Sequence, residues 1–417
     1  MGKAAKVVVM VSRSDHCLND LSCAKRVAEN PFERCGKSRL HQGGYGWCIP
    51  LCGCRDHKDA SRATLSATRH LLPVSRSAAQ ILALQAISDL VCNSLGRALQ
   101  LQAHDHRNER ELYFMTTHRF IPTSFHNVIG SLPPALHIAD GDTVVTETLD
   151  AAGHGKDGIK RASGPNPMNG PIFVEGAEPG DALKVEIISM IPTRDTGFTR
   201  SVVAANVVDP EAVRDLPPRD IAIWAIDREA LTVRLSEPVA GLESFVLPLD
   251  PMIGCFGVAP SLGQAISTAT SGEYGGNMDY RLFGPGTTVR LPVAAPGALF
   301  FLGDCHAVQG DGEIVGTGVE TTFEVTVRLT VEKKAGLVWP RGETAEDIFT
   351  IGNARPLDQA LQHATSEMLN WLAADYGLDR TAASHLLGQV VRYDVGNVFD
   401  PAYTMACRVA KKWLTRG

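Results

Sequence analysis

The sequence predicts a mostly β protein closed by a pair of helices near its C-terminus. Three observations carry that expectation. The 417 residues include 39 Gly and 24 Pro, which punctuate the chain with turns. Short apolar runs with a two-residue period recur from position 143 onward. Helical periodicity after residue 115 is confined to 356–391.

The elements follow in order. Residues 143–149 (TVVTETL) alternate, and 182–191 (ALKVEIISMI) follow a Pro-Gly-Asp turn. The runs 221–226, 231–235, 288–292 and 298–302 are apolar or β-branched, and 318–331 (GVETTFEVTVRLTV) is the longest period-2 segment. Strands separated by Gly and Pro turns predict antiparallel sandwiches or barrels. Residues 356–376 place Ala360, Leu361, Ala364, Met368, Leu369 and Leu372 on one helical face. Asp379 is placed to cap a second helix over 381–391, with Ala383, Leu386, Leu387 and Val390 apolar. A last strand is expected near 404–409.

Charge divides the chain. Residues 1–114 hold 16 Lys and Arg against 10 Asp and Glu, whereas residues 115–417 hold 24 against 36. Seven of the ten cysteines fall in the first segment. That segment shows no sustained period before an amphipathic stretch at 77–103, with Ser77 as a cap. We therefore expect an N-terminal extension over 1–114, disordered or arising from a mis-assigned start ahead of Met115, and a β-rich domain over 115–417 with room for two subdomains. The sharper reading is a small metal module on Cys48, Cys52, Cys54 and His57, but its spacing matches none of the paired zinc patterns.

No stretch of about 18 apolar residues is present, so no membrane span is expected. Cys255, Cys305 and Cys407 fit reduced thiols, and the chain reads as cytoplasmic. A formal charge of −6 and the lack of a basic-aromatic patch argue against nucleic acid. There is no G-x-S-x-G elbow and no phosphate loop; GPGTT at 284–288 lacks the lysine.

The densest polar cluster is 303–320, GDCHAVQGDGEIVGTGVE. Asp304 and His306 are two apart, hence on one side of an extended chain. A carboxylate and an imidazole together suit a borderline cation such as zinc. Gln309, Asp311 and Glu313 follow, and Glu320 opens a return strand that a hairpin could bring back beside the pair. The plainer alternative is a Gly-rich hairpin whose polar residues face water. Four further clusters stand out: 270–279 (TSGEYGGNMD), 146–158 (TETLDAAGHGKDG) with Glu147, Asp150 and His154, 169–181 (NGPIFVEGAEPGD) with Glu175 and Glu178, and 251–260 (PMIGCFGVAP). Asp181 reads as a turn residue, and Cys255 has no basic partner nearby in sequence.

In this order the stretches GPIFVEGAEPGD, PMIGCFGVAP, GGNMD and GDCHAVQGDGEIVGTGVE resemble the acetamidase/formamidase family over essentially 115–417. The resemblance implies a β-rich fold with jelly-roll-like and barrel-like portions and an α/β part. It also implies hydrolysis of small aliphatic amides to a carboxylate and ammonium, and a bound divalent metal, zinc first and calcium second. On that footing Asp304, His306 and Glu320, with Asp279, are expected to hold the metal. Glu147 or Glu175 is expected as general base, Gln309 or backbone N–H groups as oxyanion donors, and Gly275, Gly276 and Asn277 as substrate contacts. Two other readings stay open: a hydrolase of another C–N bond, such as a γ-lactam, and a non-catalytic metal- or small-molecule-binding β protein. The expected partner is a small amide, and the apolar face of the helix pair suggests a homo-oligomer.

Overall fold

The computed structural model describes residues 115–414. The stretch at 77–103 and the spacing of Cys48, Cys52, Cys54 and His57 lie outside the described residues.

The strands that frame the core are, in chain order, β1 (Thr143–Glu147), β2 (Asn169–Val174), β3 (Ala182–Pro192), β4 (Met252–Gly257), β5 (Gly275–Asn277), β6 (Thr288–Pro292), β7 (Phe300–His306), β8 (Glu320–Thr321), β9 (Phe323–Glu332), β10 (Asp347–Ala354) and β11 (Tyr403–Ala410). Helices α1 (Leu357–Tyr376) and α2 (Arg380–Val390) separate β10 from β11.

One open sheet has nine strands, in the order Thr117–Phe120, β1, β9, β3, β6, Arg341–Glu343, β10, β11 and Arg392–Val395. The other runs Val246–Pro248, Thr232–Leu235, Ile221–Asp227, Thr196–Arg200, β8, β7, β4, β5 and Ser271–Gly272, with β2 and Leu136–Ile138 joined alongside β7. Among the described strands, Thr117–Phe120 with β1 and Leu136–Ile138 with β2 pair in parallel and the rest antiparallel. Both sheets feed one apolar core, to which Val185, Val325 and Val327 come from the first and Ile253, Phe256 and Phe300 from the second. Phe256 and Phe283 meet edge to face at 4.9 Å, and Tyr280 meets Phe283 at 5.5 Å.

The period-2 pattern has a direct cause in β9. Phe323, Val325, Val327 and Leu329 are buried while the residues between them are only partly covered. Each such side chain contributes about 1.5–3 kcal/mol on burial. The expected single strand over 318–331 is two pieces. Glu320 and Thr321, β8, belong to the second sheet, and β9 belongs to the first. Thr322 is the crossing point, held by Thr193 through a 2.6 Å hydroxyl contact. The run expected at 298–302 starts later, because Ala298 and Leu299 take left-handed φ of 58° and 55° and make a turn instead. The strand then continues to His306, with every residue buried.

The mostly β reading with a C-terminal helical pair holds. Asp379 caps α2 by accepting the N–H of Ala382 at 2.8 Å, and left-handed Gly377 ends α1. Ala364, Met368, Trp371 and Leu372 of α1 pack with Ala383 and Leu387 of α2 onto Ile348, Cys407 and Val409. That apolar face is turned inward onto β10 and β11, so the argument for a homo-oligomer built on it does not stand. Within the same layer Glu367 of α1 accepts from Arg341 at 2.7 Å, both side chains being buried.

Candidate metal centre

The centre forms where β7, β8, β4 and β5 converge, and it is walled by the loops 308–318 and 396–400. Antiparallel pairing sets His306 opposite Glu320, so the return expected of Glu320 is real. Across the other edge of β7, β4 passes Gly254 directly under the site. A Cβ at Gly254 would lie 2.4 Å from Asp279 Oδ1 and 2.9 Å from Asp304 Oδ2. A Cβ at Gly318 would strike His306 Nδ1 at 2.3 Å. These two glycines leave the space that the polar side chains occupy.

The backbone is strained where it delivers those side chains. Asn166, Asp279, Asp304 and Glu313 have φ of 45°, 44°, 52° and 47°. Left-handed backbone costs a residue with a Cβ about 1–2 kcal/mol and concentrates at functional sites. At Asp304 it breaks the strand's alternation, so the carboxylate does not simply repeat the direction of His306.

The amides then fix the donors. His306 Nδ1 lies 2.8 Å from Gln309 Oε1. Gln309 Nε2 donates to the carbonyl oxygens of Asp279 at 2.6 Å and Gly396 at 3.4 Å. That leaves Oε1 as acceptor and places a hydrogen on Nδ1, with Nε2 facing the carboxylates. Nε2 is 3.1 Å from Glu320 Oε1 and 3.5 Å from Asp304 Oδ1, but neither contact is aligned as a hydrogen bond. Asn166 Nδ2 donates to Asp304 Oδ2 at 2.9 Å and to Asn277 Oδ1 at 2.8 Å. Asn397 Nδ2 donates to Asp279 Oδ2 at 3.2 Å, and Asn277 Nδ2 donates to Asp400 Oδ2 at 2.5 Å.

After these bonds, Asp279 Oδ1, Asp304 Oδ1, Glu320 Oε2 and His306 Nε2 are buried with no hydrogen-bond partner among the described residues. Orphaned buried polar atoms carry a desolvation cost, which a bound cation would relieve. Asp304, His306 and Glu320 each offer a ligand atom within 4.8 Å of one another, and so do Asp279, His306 and Glu313. The donor set therefore fits a divalent metal ion. Without one, burial and then neighbouring carboxylates push Asp279 and Glu313 well above the usual carboxylate range. Burial likewise pushes Glu320 up to about 8, against the pull of His306, and Asp400 up to about 6, against the Asn277 amide. Burial alone would lower His306, but Glu320 and Asp304 raise it well above its ordinary value.

The other expected site residues are placed elsewhere. Glu147 lies partly exposed, bonded to Lys156 at 2.8 Å, and Glu175 is 61% exposed beside His137. Neither carboxylate joins the buried cluster: Glu147 faces outward from β1 and Glu175 lies in the turn after β2, and each has a basic partner. Gln309 has both ends of its amide committed, so it orients His306 rather than serving as an oxyanion donor. Gly275 and Gly276 are required by close strand packing, since a Cβ would meet Phe256 O at 2.6 Å and Thr270 O at 2.5 Å respectively. Asn277 is a bridge between Asn166 and Asp400. His154 pairs with Asp150, which also receives Arg194, and Asp181 ties a turn to Lys333. Burial, with Asp304 and Asp279 nearby, pushes the Cys255 thiol well up, which leaves it inert.

Asn166, Gly254, Glu313, Asn397 and Asp400 complete the centre and were not among the expected site residues. Glu313 lay inside the singled-out cluster, where nothing local separates it from Asp311, an exposed partner of Arg281.

The centre can be compared with known proteins. The model of the acetamidase/formamidase family matches residues 121–265 and 262–362. An acetamidase from Mycolicibacterium smegmatis is 29% identical over 246 residues, covering 46% of this chain and 59% of that protein. A putative formamidase from Schizosaccharomyces pombe is 26% identical over 258 residues, covering 48% and 62%. The match thus spans about three fifths of each of these two relatives. Two solved structures extend further. The crystal structure of an acetamidase from Yersinia enterocolitica has a TM-score of 0.64 and 34% identity, over 74% of this chain and 96% of that one. An acetamidase from Bacillus halodurans has a TM-score of 0.62 and 32% identity, over 71% and 98%.

Proposed function

This chain belongs to the acetamidase/formamidase family, and from that premise we propose that it hydrolyses small aliphatic amides to a carboxylate and ammonium at the centre built on Asp304, His306 and Glu320. The observation that carries the reading is that Asp304, His306 and Glu320, each with a buried side-chain atom lacking a partner among the described residues, offer ligand atoms within 4.8 Å of one another.

One imidazole and two carboxylates are a donor set suited to zinc. A cation held there would supply Lewis acidity toward water and toward the amide carbonyl, the term an unreactive amide most needs. The rest falls to the chain. Gln309 keeps the hydrogen of His306 on Nδ1, so Nε2 is available as a ligand. Asn166 and Asn397 hold one oxygen each of Asp304 and Asp279, which fixes where the free oxygens point. Asp400, buried, bonded to Asn277 at 2.5 Å and outside both ligand groups, is the carboxylate left to accept a proton from water and return it to the leaving nitrogen. A groove of about 400 Å³ lined by Trp224, Leu242, Phe245 and Val319 opens beside Gln309 and Gly318, and offers room for an apolar acyl group.

The test is ammonia release from formamide and acetamide, and amino-acid formation by ring opening of a γ-lactam, with and without chelator. We expect release from a linear amide that chelator abolishes and zinc restores. A folded sample that hydrolyses none of the three under any metal condition overturns the proposal, and ring opening of the lactam alone redirects it.

A further inference from the structure

The pairing that sets His306 opposite Glu320 continues across the second sheet. Glu320 stands opposite Phe198 of the strand Thr196–Arg200, and Phe198 stands opposite Ile223 of the strand Ile221–Asp227. All three pairings are antiparallel. Residues directly opposite one another in such a ladder share a face, with Cβ atoms about 4.5–5.5 Å apart. His306, Glu320, Phe198 and Ile223 therefore form one row, on the face that carries the metal donors.

The residues one step along the strands fix its direction, because side chains alternate between faces. A Cβ at Gly197 would lie 2.7 Å from Val319 Cγ1 and 3.4 Å from Ile226 Cδ1, and both of those side chains are buried. Gly197 and Val319 thus face the core behind the row, while Phe198 and Glu320 face away from it. Trp224 pairs with Gly197 and shares that other face, where it lines the groove beside Gln309. A short acyl group held at the donors meets Phe198 before it can reach that groove.

Phe198 is half-buried and, among the described residues, lies outside the apolar clusters that make up the core. Ile223 is 47% exposed. Polarity therefore changes within one step along the row: an imidazole and a carboxylate, then an aromatic ring, then a branched aliphatic chain. Sites for small molecules have this composition, a few polar groups beside apolar and aromatic walls. An amide is divided in the same way, with a polar carbonyl and nitrogen on an apolar acyl chain. With the carbonyl at His306 and Glu320, a ring about one strand spacing away leaves room for a short chain only.

We propose that Phe198 is the specificity-determining residue on the acyl side of the centre, holding efficient turnover to amides with short acyl chains. Ile223 is the apolar surface that a longer chain would reach once Phe198 is cut back. The proposal rests on the reading of this centre as the one that hydrolyses amides.

The test compares kcat/KM for acetamide, butyramide and hexanamide in the zinc-loaded full chain, wild type against Phe198→Ala and Phe198→Trp. The ratio between two amides within one variant does not depend on how much of the sample is folded, so a merely structural role would leave it unchanged. One methylene at an apolar wall is worth about 10–200-fold. We expect the hexanamide-to-acetamide ratio to rise at least about 10-fold in Phe198→Ala and to fall in Phe198→Trp. Adding Ile223→Asn to Phe198→Ala is expected to cancel most of the gain. Phe198→Leu replaces Phe198→Ala should that variant fail to fold, as judged by circular dichroism. A ratio that stays within about twofold in the Phe198 variants, or that moves with Trp224→Ala instead, overturns the proposal and leaves amide hydrolysis standing. A folded wild type that hydrolyses none of the three amides overturns both.

Discussion

Gln309 Oε1 stands 2.8 Å from His306 Nδ1, and this contact decides which ring nitrogen faces the carboxylates. Replacing the amide by an apolar side chain of similar size removes that decision. Gln309→Leu is expected to weaken metal affinity about 10–100-fold, the usual effect of losing a partner behind a ligating histidine. Chelator competition measures it, and an unchanged affinity would mean that something other than Gln309 orients the ring.

Gly254 passes beneath two carboxylates, and a methyl group there would press against Asp279 Oδ1 and Asp304 Oδ2. Gly254→Ala is expected to lower kcat/KM by at least about 100-fold, since displacing a catalytic group by about 1 Å is enough for such a loss. The far-UV circular dichroism should stay close to wild type. Full activity in this variant would show that the carboxylates move aside without consequence.

Glu147 and Glu175 were expected as general bases and lie outside the buried cluster. Glu147→Gln and Glu175→Gln are expected to keep kcat/KM within about twofold, because surface ion pairs contribute little. A loss of about 100-fold or more in either would return that residue to the reaction.

Without a cation, the centre makes the protein less stable as pH rises. Glu320 is at about 8 when folded against 4.5 unfolded, and Asp400 at about 6 against 3.8. Their folded pKa values are raised, so the folded chain binds more protons than the unfolded one across this window. The contribution is whole below about 4 and is lost as pH climbs through 6 and then 8. Asp142 and Asp181, which are lowered, give stability that is already complete above about 4. The melting temperature in chelator is therefore expected to fall between pH 4.5 and 8, and zinc to flatten the decline. A melting temperature in chelator that rises across the window would contradict this account.

The Arg341–Glu367 pair ties α1 to the first sheet with both charges buried. Glu367→Ala leaves a guanidinium without its partner, and is expected to cost about 3–5 kcal/mol. Denaturant unfolding gives the figure directly; a loss under about 1 kcal/mol would mean that water reaches Arg341.

The parts of this molecule that could be foreseen are those coded within a few residues. The alternation in β9 and the cap at Asp379 are local patterns, and the return of Glu320 to His306 follows from one Gly-rich connection. Asp400 and Asn397 come from a loop that reaches the centre only because Gly312 is bonded to Val395 and Gly396, a contact between positions more than 80 apart in the chain. Glu175 shows the converse. It sits in a stretch similar to the family, yet the turn after β2 leaves its carboxylate in water.

Left-handed backbone at Asn166, Asp279, Asp304 and Glu313 sets heat tolerance and chemistry against each other at the same α-carbons. Glycine adopts that geometry freely, so replacing any of the four by glycine would relieve strain while removing a donor. A selection that rewards survival at high temperature alone would drift toward such replacements and recover sturdy, inert proteins. A selection that scores turnover as well would hold all four positions fixed and find its gains in the outer strands and the helix pair.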